Sequence, residues 1–117
     1  MDTITIKDLE VFFHVGVPEE ERAKPQRLLV SIEATHDIAL AVEKDDVRWS
    51  IDYAAVCERL NRFAEGRRWR LIETLAVEIA ELLLREFGAA SASVEIKKFV
   101  LPQTRFVGVR VTRPTAR

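Results

Sequence analysis

Apolar and polar positions alternate toward both ends of the chain and recur with a helical period in its middle. Ile4 and Ile6 share one face of a predicted strand. After Lys7-Asp8, the set Leu9, Val11, Phe13 and Val15 continues on the opposite parity. Period two means extended backbone, and the slip of phase means a bulge or bend. Gly16 to Gln26 is a polar connection with two prolines and the run Glu19-Glu20-Glu21, too long for a tight hairpin turn. Leu28, Val30, Ile32 and Ala34 then alternate with Leu29, Ser31, Glu33 and Thr35, the pattern of a half-buried strand with a wet outer face.

From Tyr53 the period changes. Val56, Leu60, Phe63 and Ala64 fall on one helical stripe, with Asp52 placed as an N-cap and Gly66 as a stop. Arg67-Arg68-Trp69-Arg70 reads as a basic connector. A second helix is predicted from about Leu71 to Phe87, with its stripe at Ile72, Leu75, Ala76, Ile79, Leu82 and Leu83 and its end at Gly88. Val94 and Ile96, then Val107, Val109 and Val111, mark two closing strands. The order strand, strand, helix, helix, strand, strand predicts an α+β unit: a four-stranded antiparallel sheet with both helices packed on one face. The sheet's other face is left to water or to another copy of the chain, so self-association is a reasonable inference.

Composition narrows the function classes. The 117 residues suit one domain, 1–117, large enough for a real core. A net charge of -1 argues against a nucleic-acid binder. The lone cysteine, Cys57, reads as a small core residue. His14 and His36 fall on different strands and make a poor metal pair, so no metal or other cofactor is expected. No leader pattern and no membrane-length apolar run is visible, so a cytoplasmic protein without membrane contact is the expectation.

Four residues carry candidate chemistry. Lys98 shares the parity of Val94 and Ile96, which turns it toward the core side or a subunit boundary. Desolvation there would tune an amine for acid–base work. Glu73 sits in the first turn of the second helix among Leu71, Ile72, Leu75 and Ala76. The helix dipole favours a carboxylate there, and a two-donor N–H edge of a ligand would suit it. Tyr53 opens the first helix as a packing ring or a phenol donor. Glu21 closes the acidic loop run. Taken singly, each has an ordinary structural explanation.

Taken together, they resemble the dihydroneopterin aldolase family. The resemblance runs through Ile4-Thr5-Ile6-Lys7-Asp8-Leu9, Gly16-Val17-Pro18-Glu19-Glu20-Glu21, Asp45-Asp46-Val47 and Ile51-Asp52-Tyr53-Ala54-Ala55-Val56. It continues through Leu71-Ile72-Glu73-Thr74-Leu75-Ala76, Val94-Glu95-Ile96-Lys97-Lys98 and Val107-Gly108-Val109. It implies the tunnelling fold and a ring-shaped homo-oligomer, a tetramer or octamer, with active sites between neighbouring subunits. It also implies a cofactor-free retro-aldol cleavage of a pterin, dihydroneopterin, to hydroxymethyl-dihydropterin and glycolaldehyde. By the same resemblance Glu73, next to Ile72, anchors the pterin. Tyr53 reaches a neighbour's site, Glu21 stands near the substrate side chain, and Lys98 is the acid–base lysine. Many members have a proline directly after that lysine. Here Phe99-Val100-Leu101 intervene before Pro102. The alternatives are an epimerase of dihydroneopterin triphosphate, with Arg67, Arg68, Arg70 and Arg105 as candidate cations, and a non-catalytic pterin-binding ring.

Overall fold

The computed structural model of the protein describes residues 1–115. The chain runs β1 (Asp2–Val15), α1 (Glu19–Arg22), β2 (Gln26–His36), α2 (Ala39–Lys44), a 3-10 turn (Val47–Trp49) and α3 (Tyr53–Ala64). It continues with β3 (Arg68–Trp69), α4 (Ile72–Glu86), β4 (Ser91–Lys98) and β5 (Val107–Arg113). The sheet order is β3-β1-β2-β4-β5. The long strands pair antiparallel, and β3 joins the edge of β1 in parallel.

The predicted phase slip in β1 is a β-bulge. Its register with β2 shifts between Ile6 and Leu9, and Asp8 takes a left-handed φ of 54°. An aspartate tolerates that conformation better than a branched residue would. The bulge keeps Ile4, Ile6, Leu9, Val11, Phe13 and Val15 against one core despite their change of parity.

That core lies between the sheet and the two long helices. Leu28, Val30, Val94 and Ile96 meet Val56, Leu60, Leu75, Ile79 and Leu83, and none of these exposes measurable surface. Each such side chain contributes about 1.5–3 kcal/mol relative to exposure. The Asp52 carboxylate accepts from the Ala55 N–H at 3.1 Å and starts α3. Gly66 and Gly88, at φ +70° and +68°, take the left-handed turns that follow α3 and α4.

The expected four-stranded antiparallel sheet with two helices forms the centre of the fold but needs correction. Among the described residues there are five strands in a mixed sheet and four α-helices. The added strand, Arg68–Trp69, is two residues long and carries no period of its own. Tertiary packing makes it: Trp69 is buried between the Phe13 and Phe63 rings, at centroid distances of 6.1 and 5.5 Å. The added helices α1 and α2 span four and six residues, too few turns for an apolar stripe to appear.

Candidate active site

A cleft of about 320 Å³ opens where the loop after β1, the N-terminus of α4 and the ends of β4 and β5 meet. Val17, Arg70, Leu71, Ile72, Glu73, Lys98, Val100, Leu101 and Val107 line it. Sequence-distant chemistry thus converges: Glu73 and Lys98 share one apolar-walled hollow, with Ile72 beside them. Antiparallel pairing sets Lys98 opposite Leu28 on β2 and Val107 on β5. The neighbouring Lys97 points to the other face, where its amine lies 3.3 Å from the bulge carboxylate of Asp8.

Glu21 joins Lys98 from α1. Its Oε1 lies 2.5 Å from Lys98 Nζ, and both side chains are largely buried. The contact is a close ion pair. Gly16 makes the approach possible. A Cβ there would stand 2.7–2.8 Å from the Glu21 Cδ, Cγ and Cβ. Gly16 is therefore required for space, not for an unusual φ.

The loop that carries Glu21 is braced. Arg22 Nη1 donates to the carbonyls of Gly16 and Val17 at 2.9 and 3.0 Å. Gln26 Nε2 donates to the Glu21 carbonyl at 2.7 Å, and His14 Nδ1 donates to the Arg22 carbonyl at 3.0 Å. His14 is thus a structural tie. The ring nitrogens of His36 face the carbonyls of Gly88 and Trp49 at 3.2 and 3.1 Å, far along the fold from the cleft. Burial pushes the Cys57 thiol up from its ordinary value. Among the described residues no group of three or more His, Cys, Asp or Glu side chains could hold a metal ion.

Tyr53 is not brought to this cleft within one protomer. It is exposed and borders a separate hollow of about 550 Å³, walled by Ile4, Ile38, Val42, Val47 and Ile51 among others. Glu73 is solvent-exposed at its helix start, so its apolar sequence neighbours do not bury it. Ile72 next to it is half-buried.

Val17 and Leu71 are wall residues that the sequence did not single out as candidates. Val17 could have been found as the one large apolar residue in a polar connection. Leu71 directly precedes the Ile72-Glu73 pair, and Arg70, named above as a candidate cation, stands before it in the wall. The basic connector also hides a structural site. Glu78 accepts from Arg67 Nη2 and Trp69 Nε1, both at 2.6 Å, while the Arg67 guanidinium covers the Phe63 and Trp69 rings. Burial alone would raise the Glu78 carboxyl, but these bonds outweigh it and hold it below its ordinary value.

Comparison with known proteins gives a consistent result. The sequence model described as dihydroneopterin aldolase matches residues 4–112. The dihydroneopterin aldolase of Haemophilus influenzae is 32% identical over 114 residues, covering 97% of each chain. The crystal structure of Escherichia coli dihydroneopterin aldolase in complex with neopterin matches with a TM-score of 0.90 and 33% identity, over 97% of this chain and 99% of that one. A dihydroneopterin triphosphate 2'-epimerase of Pseudomonas aeruginosa is 30% identical over 98 residues, 84% of this chain and 80% of its own.

Proposed function

The chain belongs to the dihydroneopterin aldolase family, and from that we propose that its cleft cleaves dihydroneopterin to hydroxymethyl-dihydropterin and glycolaldehyde. The supporting observation is the half-buried Lys98–Glu21 pair, whose lysine lines the cleft that carries Glu73 on its rim. The pterin presents an amino group and a ring N–H side by side, and the Glu73 carboxylate accepts from both. Leu71, Ile72 and Val17 offer apolar surface to the ring.

The reaction is a carbon–carbon lyase step. Lys98, directly or through water, takes the proton of the second side-chain hydroxyl. The bond between the first and second side-chain carbons breaks, and glycolaldehyde leaves. The electron pair of that bond moves to the first carbon and onto the adjacent ring imine. A proton returned to that first carbon completes the product. The substrate carries its own electron sink, so the chemistry calls for no Schiff base and no metal ion. Glu21 stabilises the ammonium formed on Lys98 and orients it. Tyr53 supplies the returning proton, or the path for it, from a neighbouring copy. Its distance from the Lys98 cleft within one protomer supports a site shared across a homo-oligomeric ring, a tetramer or octamer.

A second reading is epimerisation of a phosphorylated dihydroneopterin. One observation favours it: Arg70 lines the cleft and could meet a phosphate, although Arg67, Arg68 and Arg105 do not line it and Arg67 is held by Glu78. Incubation of the full chain with dihydroneopterin, assayed for glycolaldehyde, tests the main reading. Release of glycolaldehyde supports it. Inverted substrate alone, or turnover confined to the triphosphate, replaces it with the second. Glu73→Ala is expected to weaken neopterin binding by about tenfold or more, with a smaller effect on turnover at saturation.

A further inference from the structure

We propose that Val100 and Leu101 form a substrate-contacting wall of the cleft, set in place by two cation–aromatic clamps at the ends of the 99–106 loop. The proposal rests on the reading of the cleft as a pterin site. It concerns the stretch where the chain departs from the family's lysine–proline pattern.

Both ends of this loop are fastened on the outer face of the sheet. At the first, the Arg27 guanidinium lies 4.9 Å from the Phe99 ring centroid, and Arg27 Nε donates to Glu10 Oε2 at 2.8 Å. At the second, Lys97 Nζ lies 5.0 Å from the Phe106 ring centroid and 3.3 Å from Asp8 Oδ1. Each cation is oriented by a carboxylate, so each ring is offered a positioned charge and not a free one. Gly108 leaves room for the second clamp. A Cβ there would sit 3.2 Å from the Phe106 ring and 3.1 Å from the Ile96 carbonyl.

Between its held ends the loop makes a hydrogen-bonded turn. The Leu101 carbonyl accepts from the Thr104 N–H at 3.0 Å and from the Thr104 hydroxyl at 2.9 Å, closing a tight turn. The turn leaves Val100 and Leu101 on the cleft side, beside Lys98 and across from Leu71 and Ile72. Leu101 is 46% exposed, which leaves apolar surface for a ligand. A flat heterocycle with a polar edge needs such a wall: Glu73 reads the edge, and the branched side chains cover a face. In this chain the clamps do the orienting work that a proline after the lysine would do by fixing φ.

The test uses the full chain and three readouts: equilibrium binding of neopterin, kcat and KM for dihydroneopterin, and the rate of tryptic cleavage after Arg105. Leu101→Ala is expected to raise the neopterin Kd and the KM about tenfold, with kcat within about twofold of the parent. Arg27→Met keeps the aliphatic stem and removes the cation. It is expected to raise KM several-fold and to speed cleavage after Arg105. Unchanged Kd and KM in Leu101→Ala overturn the wall, and unchanged proteolysis in Arg27→Met overturns the clamp, while parental pterin turnover leaves the reading of the cleft intact. A parent chain that neither binds nor cleaves pterins overturns that reading, and the wall with it.

Discussion

Two carboxylate–cation pairs in this protein each join a glutamate to a basic side chain and do opposite things. Glu78 spends both oxygens on well-formed bonds to Arg67 and Trp69. The aromatic cluster of Phe13, Phe63 and Trp69 closes over one side. Glu21 Oε1 lies 2.5 Å from Lys98 Nζ, and Lys98 lines a cavity. The first pair is fully hydrogen-bonded and fixes the fold. The second has its lysine in the wall of a space that a ligand can enter. What lies beside the pair separates a structural ion pair from a candidate reactive one.

The sharpest way to break this contrast is Lys98→Ala. Turnover of dihydroneopterin is expected to fall by about 10²–10⁴-fold with neopterin binding largely kept, and the Glu21 carboxylate left without its cation is expected to cost some folding stability as well. Turnover near that of the parent would place Lys98 with the structural class instead. Glu78→Ala should do the reverse. It leaves Trp69 Nε1 and the Arg67 guanidinium unpaired, at a cost of about 1–2 kcal/mol in urea unfolding, with KM and kcat near those of the parent. Gly16→Ala sharpens the comparison from the loop side. The inserted Cβ would meet Glu21 as far back as its own Cβ, so swinging the carboxylate aside does not relieve the clash. Turnover is expected to drop about tenfold, with most of the effect in kcat if Glu21 positions Lys98.

The smallest expected effect is in pH dependence. Glu78 has its carboxyl held below the ordinary value of 4.5. The folded chain therefore binds fewer protons there than the unfolded chain. Its contribution is fully present above that ordinary value and is lost as pH falls through the lower, folded value. Stability measured from about pH 6 to pH 3 should decline less steeply in Glu78→Gln than in the parent, by an amount under about 1 kcal/mol because the pair is partly solvated. A parallel decline in the two proteins would remove Glu78 from the acid response.

The sequence by itself determined whatever depends on neighbours along the chain. The period-two runs, the helical stripes, the cap at Asp52 and the turns at Gly66 and Gly88 are all written locally, because backbone geometry repeats over two to four residues. Even the bulge at Asp8 was legible, as a change of parity. Parity also chose Lys98 over Lys97 for the core side. The short strand at Arg68–Trp69 and the helices α1 and α2 were not legible, since none is long enough to show a period. Only the tertiary structure decided which residues meet. The loop at Gly16 carries Glu21 onto the end of β4, while Tyr53 goes to a different hollow. Glu73, flanked by apolar residues in the chain, ends exposed at a cleft rim. Such meetings are set by sheet order and by how the loops close over its edges, and hydrogen bonds between distant strands have no trace in local spacing.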